Sequence, residues 1–496
     1  MNRQITRLAV GTIVLLSALI IGTTYWQTFA VAGLADRQDN SLARVATFTV
    51  DRGKIYAGHG RVLLATNVKR KVSGQTYYFR KYPNGYLAPH IVGYSTQSRS
   101  RAGLERSEND YLTGANGDIG SVTKHELDKL TGVTIKGNDV DLALNLRAQE
   151  AAVRALRGKC GAAVAIQPQT GRILALASSA TYNPNAVEKS FSAITRIRTA
   201  ACPFAAPLLN RATQGLYPPG STFKMVTAAA ALDSGAYTPS SPFTDPGYCV
   251  EYGQHVSNAG NPDQNGPEAF GTVTLAQGFE HSINSVFCNV GKHIGGEKIL
   301  EYAKRFGFYS LPPLETPPSE RLASGLYKNG RLFDPTNESQ IDPGRLAFGQ
   351  FSLLSTPLQM AMVGQAIANG GEELQPYLVD RIVAPDGSLV SRTTPHSLGR
   401  PIKPQTAAEL NQMMQLVVQG GTAASVGFPP GLKVAGKTGT AELGLGTVYD
   451  AWFVCFAPAD NPRYVVAAVV QKQPNGFGAS VAAPIAKAIL EKLMGG

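Results

Sequence analysis

The chain has few cysteines: five in 496 residues, at 160, 202, 249, 288 and 455, with no C-x-x-C pair. That spacing argues against a zinc ribbon, a thioredoxin site or an iron–sulfur run, and an odd count leaves at least one thiol unpaired. Seven histidines occur without an H-E-x-x-H and without clustered ligand spacing, so a metal enzyme is poorly supported. A G-x-x-x-x-G-K-[ST] phosphate loop is also missing. There are no internal repeats, heptads or low-complexity tracts. Charged residues make up only 16%, but hydrophobic residues reach 43%, enough to bury a core and to exclude a disordered chain. Negative charge is the scarcer sign. The 46 Lys and Arg outnumber 35 Asp and Glu, and the net +11 calls for an anionic neighbour such as nucleic acid, a membrane surface or an acidic polymer. The length exceeds one domain of about 100–200 residues, so two or more are expected.

The N-terminus decides the compartment. Arg3 and Arg7 precede 28 residues, Leu8 to Ala35, that carry no charge, and Tyr25 and Trp26 stand where interface aromatics would. A bilayer span needs about 20 mostly apolar residues, and leading arginines stay cytoplasmic. A cleaved signal peptide is the alternative, and Ala30-Val31-Ala32 fits its small-residue cleavage pattern. The apolar stretch, however, exceeds the roughly 7–15 residues of a signal h-region, which favours an uncleaved anchor. Either way residues 36–496 are expected outside the cytoplasm. This demotes nucleic acid as the partner of the positive charge and permits disulfides.

From Asp36 to about Val140 the sequence is polar and turn-rich. Its short apolar runs (Arg61–Ala65, Thr76–Phe79, His90–Val92) predict a mainly β module. Helical spacing follows at Leu146–Leu156. A strand is expected at Gly161–Gln167, a turn at Gln169-Thr170-Gly171 and a second strand at Arg172–Ala177. Residues 310–345 read as a long Pro-rich excursion. Helices are expected at Leu358–Ala368 and Thr406–Val418, a hairpin at Ala451–Pro458 and Tyr464–Gln471, and a last helix at Val481–Met494. Strands, then helices, then strands without βαβ alternation predict an α+β fold. The expected division is 1–35 cytoplasmic tip and anchor, 36–140 a small N-terminal domain, and 141–496 a catalytic domain.

Three short motifs carry chemistry. In Tyr217-Pro218-Pro219-Gly220-Ser221-Thr222-Phe223-Lys224 a non-helical turn leads into the apolar helix former Met225–Leu232. Ser221 therefore stands at a helix N-terminus, where free N–H groups and the macrodipole favour developing negative charge. Lys224, three residues on, shares its face; partly buried, its amine can lose a proton and serve as base. S-x-x-K alone is a weak signal: Ser121-Val122-Thr123-Lys124 matches too and reads as a surface helix start. Ser282-Ile283-Asn284 is weak alone, since a helix N-cap serine explains it equally well. Lys437-Thr438-Gly439-Thr440 reads as a Thr/Gly strand that a charge-protected edge would also explain.

The order S-x-x-K, S-x-N, K-T-G is that of serine β-lactamases and penicillin-binding proteins. Over nearly its whole length the chain resembles the class B penicillin-binding proteins, the monofunctional peptidoglycan transpeptidases, and looks closest to their short actinobacterial type. Arg52-Gly53-Lys54-Ile55 is similar to the R-G-x-I that follows the anchor. His90–Tyr94 and Gly103-Leu104-Glu105 resemble motifs of the N-terminal pedestal. Gly349-Gln350, Thr356–Ala361, Asn369-Gly370-Gly371, Ala435–Glu442 and Ala451-Trp452-Phe453 resemble the catalytic part. Phe351 departs from the pattern, where the family often has Gly. The resemblance implies a penicillin-binding, serine β-lactamase-like domain on a mainly β pedestal, an antiparallel sheet flanked by helices.

It also implies roles. Ser221 attacks the carbonyl between two terminal D-alanines of a stem peptide, and Lys224 accepts the proton. Ser282 relays a proton to the leaving amine, while Asn284 holds the substrate amide and Lys224. Lys437 adds positive charge, and Thr438 binds the terminal carboxylate. Backbone N–H groups of Ser221 and Thr440 form the oxyanion hole. Gly439 leaves the strand edge bare for an added substrate strand. β-Lactams acylate the same serine, and no cofactor is implied. A β-lactamase is the first alternative, but it is usually about half this length, and no E-x-x-L-N stands between Ser282 and Lys437. A D,D-carboxypeptidase would use water as acceptor. A non-catalytic sensor or scaffold is disfavoured by the intact motifs. About 105 residues between anchor and catalytic part leave no room for a transglycosylase, so a membrane glycan polymerase and elongation or division proteins are expected partners. Cys160 and Cys288 both fall in segments expected near the site, and a disulfide between them is the expectation.

Overall fold

The structure, a computed structural model, describes residues 2–25, 48–58, 62–98, 100–115, 134–198, 202, 206–261, 266–444 and 447–495. The second S-x-x-K, Ser121–Lys124, and the cleavage-like Ala30–Ala32 lie outside these residues. The first helix runs Asn2–Tyr25, and Arg3–Tyr25 is long and apolar enough to cross a membrane, with none of it buried against the protein.

The catalytic part is built on a five-stranded antiparallel sheet in the order 435–442, 448–457, 464–474, 161–166, 173–179. All six residues of Gly161–Ile166 and Val465–Val470 are buried, so both faces are covered. Leu146–Ala155 and Ala483–Met494 pack together with the sheet; Pro357–Ala368 and Pro404–Gln419 form a second group, joined by Lys224–Asp233. Local signals explain the ends. The Asn145 side chain accepts from the Ala148 N–H, and Thr356 from Gln359 ahead of Pro357 at the first helical position. The strands, hairpin and helices expected here agree with this arrangement, apart from shifts of a few residues at element ends. The excursion at 310–345 holds only short strands and single turns. It ties the parts together: Glu320 accepts from the Gly103 N–H (3.0 Å), and Glu315 from those of Leu378 and Val379.

Two expectations about the N-terminal part need correction. His90–Val92, read as an apolar β run, lies in a short helix, Pro89–Val92; proline opens it and Gly93 (φ 76°) closes it. The β sheet is larger than its own segment supplies. Six strands run in the order 389–392, 379–383, 139–142, 55–57, 62–72, 75–81, so two come from beyond residue 370. The Arg381–Asp141 ion pair (2.6 Å) fixes that junction. Inside, Arg52 of the R-G-x-I segment and Glu105 of the second pedestal motif meet in one buried ion cluster: Glu105 takes Arg52 at 3.0 Å and Arg80 at 2.6 Å. Burial pushes the Glu105 carboxyl up, but the two arginines overcome it and hold it below the usual range.

Candidate active site

Pro218 and Pro219 cannot continue a helix, and Gly220 turns at φ 51°. Gly220–Phe223 then forms a 3₁₀ turn that runs straight into the helix Lys224–Asp233, every residue of which is buried. This puts Ser221 on the wall of a cleft of about 1200 Å³. Strand 448–457 holds the turn in place: Trp452 Nε1 donates to the Pro218 carbonyl at 2.9 Å.

Lys224 is fully buried. Its Nζ donates to the Ser282 carbonyl (2.6 Å), to Asn284 Oδ1 (2.9 Å) and, more weakly, to Ser282 Oγ (3.3 Å). Lys437 is equally buried and donates to Ser282 Oγ at 2.9 Å and to the Thr438 carbonyl at 3.1 Å. One hydroxyl thus stands between two lysine amines. Phe287 and Phe279 face these groups at 5.2 and 5.5 Å. No carboxylate shares a salt bridge with either lysine among the described residues. Burial, then the charge of Lys437, drive the Lys224 amine well below the ordinary lysine range; burial alone brings Lys437 down to about 7.

Ser282 is not a helix cap. Its φ is +58°, a left-handed conformation uncommon outside glycine, and the cap position belongs to Ile283. The strained backbone turns both its carbonyl and its hydroxyl to Lys224. Asn284 opens the helix Asn284–Ile294, and its Nδ2 donates to the Ser257 carbonyl (3.1 Å), tying the helix to the hairpin 248–257. A disulfide, Cys249–Cys288, joins the same two elements, and a second, Cys160–Cys202, staples the end of the central sheet. The expected Cys160–Cys288 bridge is therefore wrong: each sulfur faces its own neighbour, with Cα atoms 5.2 Å apart at 160–202 and 6.4 Å at 249–288. Cys455 is the free, buried thiol.

Strand Ala435–Glu442 is an edge of the central sheet, as expected, but its lysine is internal and protects no edge. Thr438 and Thr440 line the cleft with Ser221, Ser282 and Asn284. Gly439 is bare for a different reason from the one expected. A Cβ there would lie 2.9 Å from the Pro219 carbonyl oxygen and 2.9 Å from Thr222 Cγ2, so glycine lets the strand press against the serine turn. Phe351 adopts φ +59°, which explains why glycine suits that position, and its ring lines the cleft.

Sequence reasoning missed several cleft residues. Thr422 Oγ1 meets Thr438 Oγ1 at 2.5 Å, and the only signal for it was the Gly420-Gly421 turn that ends the preceding helix. Arg345 reaches the cleft while held by Asp342 (2.5 Å), and His255 and Tyr449 stand on its rims. None of these has a motif of its own. Among the described residues no cluster of three His, Cys, Asp or Glu is gathered that could hold a metal.

Comparison with known proteins agrees with this geometry. The penicillin-binding protein transpeptidase domain family matches residues 161–491, and the penicillin-binding protein A dimerisation domain family matches 52–140. The peptidoglycan D,D-transpeptidase PbpA of Mycolicibacterium smegmatis is 34% identical over 99% of this chain and 98% of its own. The ceftriaxone acyl-enzyme complex of penicillin-binding protein A from M. tuberculosis superposes with a TM-score of 0.78 at 31% identity, covering 90% of this chain and 99% of that one. A D,D-transpeptidase domain of a peptidoglycan glycosyltransferase from Eggerthella lenta gives 0.74 at 34% identity over 90% and 99%. The chain therefore belongs to the penicillin-binding protein transpeptidase family.

Proposed function

We propose that this chain is a peptidoglycan D,D-transpeptidase that cross-links stem peptides through an acyl-enzyme on Ser221 and is acylated by β-lactams. The observation that carries the reading is Ser282 Oγ lodged between the buried amines of Lys224 and Lys437 in the cleft that Ser221 lines. An amine kept neutral by burial can take the serine proton at neutral pH. Ser221 Oγ then attacks the carbonyl carbon of the terminal D-alanyl-D-alanine bond, with the N–H groups of Ser221 and Thr440 as the proposed oxyanion donors; one such donor is worth about 3–4 kcal/mol. As the carbon–nitrogen bond breaks, the proton passes from Lys224 through Ser282 to the departing amine, and free D-alanine leaves. Thr438, with Thr422 behind it, is the proposed holder of the terminal carboxylate, and Asn284 of the substrate amide. An amine of a neighbouring stem attacks the ester, forms the cross-link and returns the serine. With a β-lactam the leaving nitrogen stays tethered in the opened ring, and the ester persists.

In this reading residues 1–35 anchor the protein with a cytoplasmic N-terminus, and the pedestal (36–140, completed by 379–392) and catalytic part (141–496) work outside the membrane. A membrane glycan polymerase and elongation or division proteins are the proposed partners. The apolar helix Arg3–Tyr25 and the relatives' names support the anchor and the wall chemistry. The test is labelling by a fluorescent penicillin: Ser221→Ala should give no label, and label at the wild-type rate would remove Ser221 as nucleophile. Many turnovers of a chromogenic cephalosporin, in place of one slow acylation per molecule, would favour a β-lactamase instead.

A further inference from the structure

Ten of the chain's 46 basic residues fall between Arg52 and Arg101, while no Asp or Glu occurs from Arg52 to Leu104. Two of the ten, Arg52 and Arg80, are consumed by the buried Glu105. The others include an exposed group on the hairpin formed by Val62–Val72 and Gln75–Lys81: Lys69, Arg70, Lys71 and Lys81. Among the described residues none of these four has a carboxylate partner. Beyond Asn67 the hairpin leaves the core, and Val68 to Gln75 are all exposed.

The register sorts the side chains. Val68 pairs with Phe79, Arg70 with Tyr77 and Val72 with Gln75, so one face carries two valines, two aromatic rings and an arginine. Val68 is 39% exposed and Val72 54%. Lys69 and Lys71 stand on the other face. Aliphatic and aromatic groups interleaved with cations are what a phosphate-rich interface accommodates, the rings and valines at the acyl boundary and the cations at the phosphates.

The chain's path limits how far this hairpin can lie from a bilayer that holds the apolar helix. Twenty-two residues separate the end of the apolar helix, Tyr25, from Phe48. Phe48 enters the fold on the hairpin itself: its carbonyl accepts from the Tyr78 N–H (2.7 Å), and its ring lies 5.7 Å from Phe79. The hairpin is therefore tethered within about 75 Å of the helix end even with the linker fully extended.

We propose that this hairpin is a second membrane contact, binding the headgroups of anionic lipids and setting the tilt of the pedestal on the bilayer. The proposal rests on the membrane anchor of the functional reading but not on the chemistry at Ser221. Each cation at an anionic surface is worth about a fivefold change in the bound-to-free ratio, and the attraction fades with salt.

The experiment uses the full chain in proteoliposomes, with a fluorophore on Gln75→Cys and a headgroup-attached spin label as quencher. Quenching is expected in vesicles of phosphatidylglycerol and phosphatidylcholine, with a several-fold loss in pure phosphatidylcholine, in high salt, and in Lys69→Glu/Arg70→Glu/Lys71→Glu. That triple variant should keep wild-type penicillin labelling, showing that the fold is intact. Equal quenching in neutral and anionic bilayers, or quenching untouched by the triple substitution, overturns the proposal. So does quenching that polyphosphate abolishes at a phosphate concentration far below that of the accessible lipid phosphate, which would assign the hairpin to wall polymers. Resistance to carbonate extraction reports the anchor separately, and penicillin labelling reports the catalytic reading, so failure of either is distinguishable from failure of the hairpin.

Discussion

Replacing Asn284 by Asp tests the proton logic of the site with a change of one functional group. The Oδ1 that accepts from Lys224 at 2.9 Å is retained, but it becomes part of a carboxylate. At that distance, with an effective dielectric constant of about 20, a full opposite charge would contribute about 6 kcal/mol, an upper bound. Contacts of this kind move the partner's titration by about one to three pH units. The direction is unambiguous: a neighbouring anion favours the ammonium form, so Lys224 loses its proton only at higher pH. If neutral Lys224 is the base, the rate of acylation by a fluorescent penicillin, followed from pH 5 to 10, should rise later by at least about one unit. On the acid side of the wild-type limb the rate should fall about 10- to 1000-fold. Asn284→Ala supplies the control. It deletes the acceptor without adding charge, and the loss of about 1–3 kcal/mol should slow acylation about 5- to 150-fold without moving the limb to higher pH. An Asp variant whose limb stays at the wild-type pH would refute Lys224 as the group whose deprotonation starts the reaction.

Other consequences are equally direct. Gly439→Ala should lower acylation at least about tenfold together with the melting temperature, because the new methyl meets the Pro219 oxygen; labelling at the wild-type rate would show that the strand does not need that close approach. Lys437 titrates near 7 in the fold and near 10.5 when unfolded, so between those values the unfolded chain binds more protons and wild-type stability should rise with pH. Lys437→Met should flatten that rise and be more stable near pH 7 by a few kcal/mol while labelling poorly; equal pH slopes in thermal melts of the two proteins would contradict this. Non-reducing peptide mapping should find Cys160 with Cys202, Cys249 with Cys288, and Cys455 as a thiol. Removing Cys249 and Cys288 together should cost about 4 kcal/mol in denaturant unfolding, and an unchanged midpoint would show that the bridge does not constrain the chain.

The site was legible where its chemistry depends on local order. Ser221 and Lys224 share a helix start, and the Pro-Pro-Gly turn before it cannot be anything else. The three motifs each supply a side chain to the cluster, although each was weak by itself. What stayed hidden depends on contacts between distant segments. Nothing near Ser282 announces its left-handed backbone, which comes from placing a carbonyl and a hydroxyl on one amine. Gly439 looked like room for a substrate because the turn that actually fills that space lies more than two hundred residues earlier. The cysteines offered many pairings, and only the sheet and the hairpin decide between them. The strands at 379–392 alternate too weakly to reveal that their partners lie near residue 140, since all of Leu389–Arg392 is exposed and Val379–Val383 buries only its first and fourth residues.

That shared sheet has a consequence for how the protein is made. Strand 139–142 needs Val379–Val383 as its neighbour, and Asp141 waits for Arg381 across 240 positions of chain. At synthesis rates of about 5–20 residues per second the gap lasts about 12–48 seconds. Throughout that interval the newly made N-terminal part holds an open strand edge, a template for pairing with the wrong chain. Until its partner strand is made the edge needs shelter, and a fragment ending near residue 140 should aggregate where the whole chain does not.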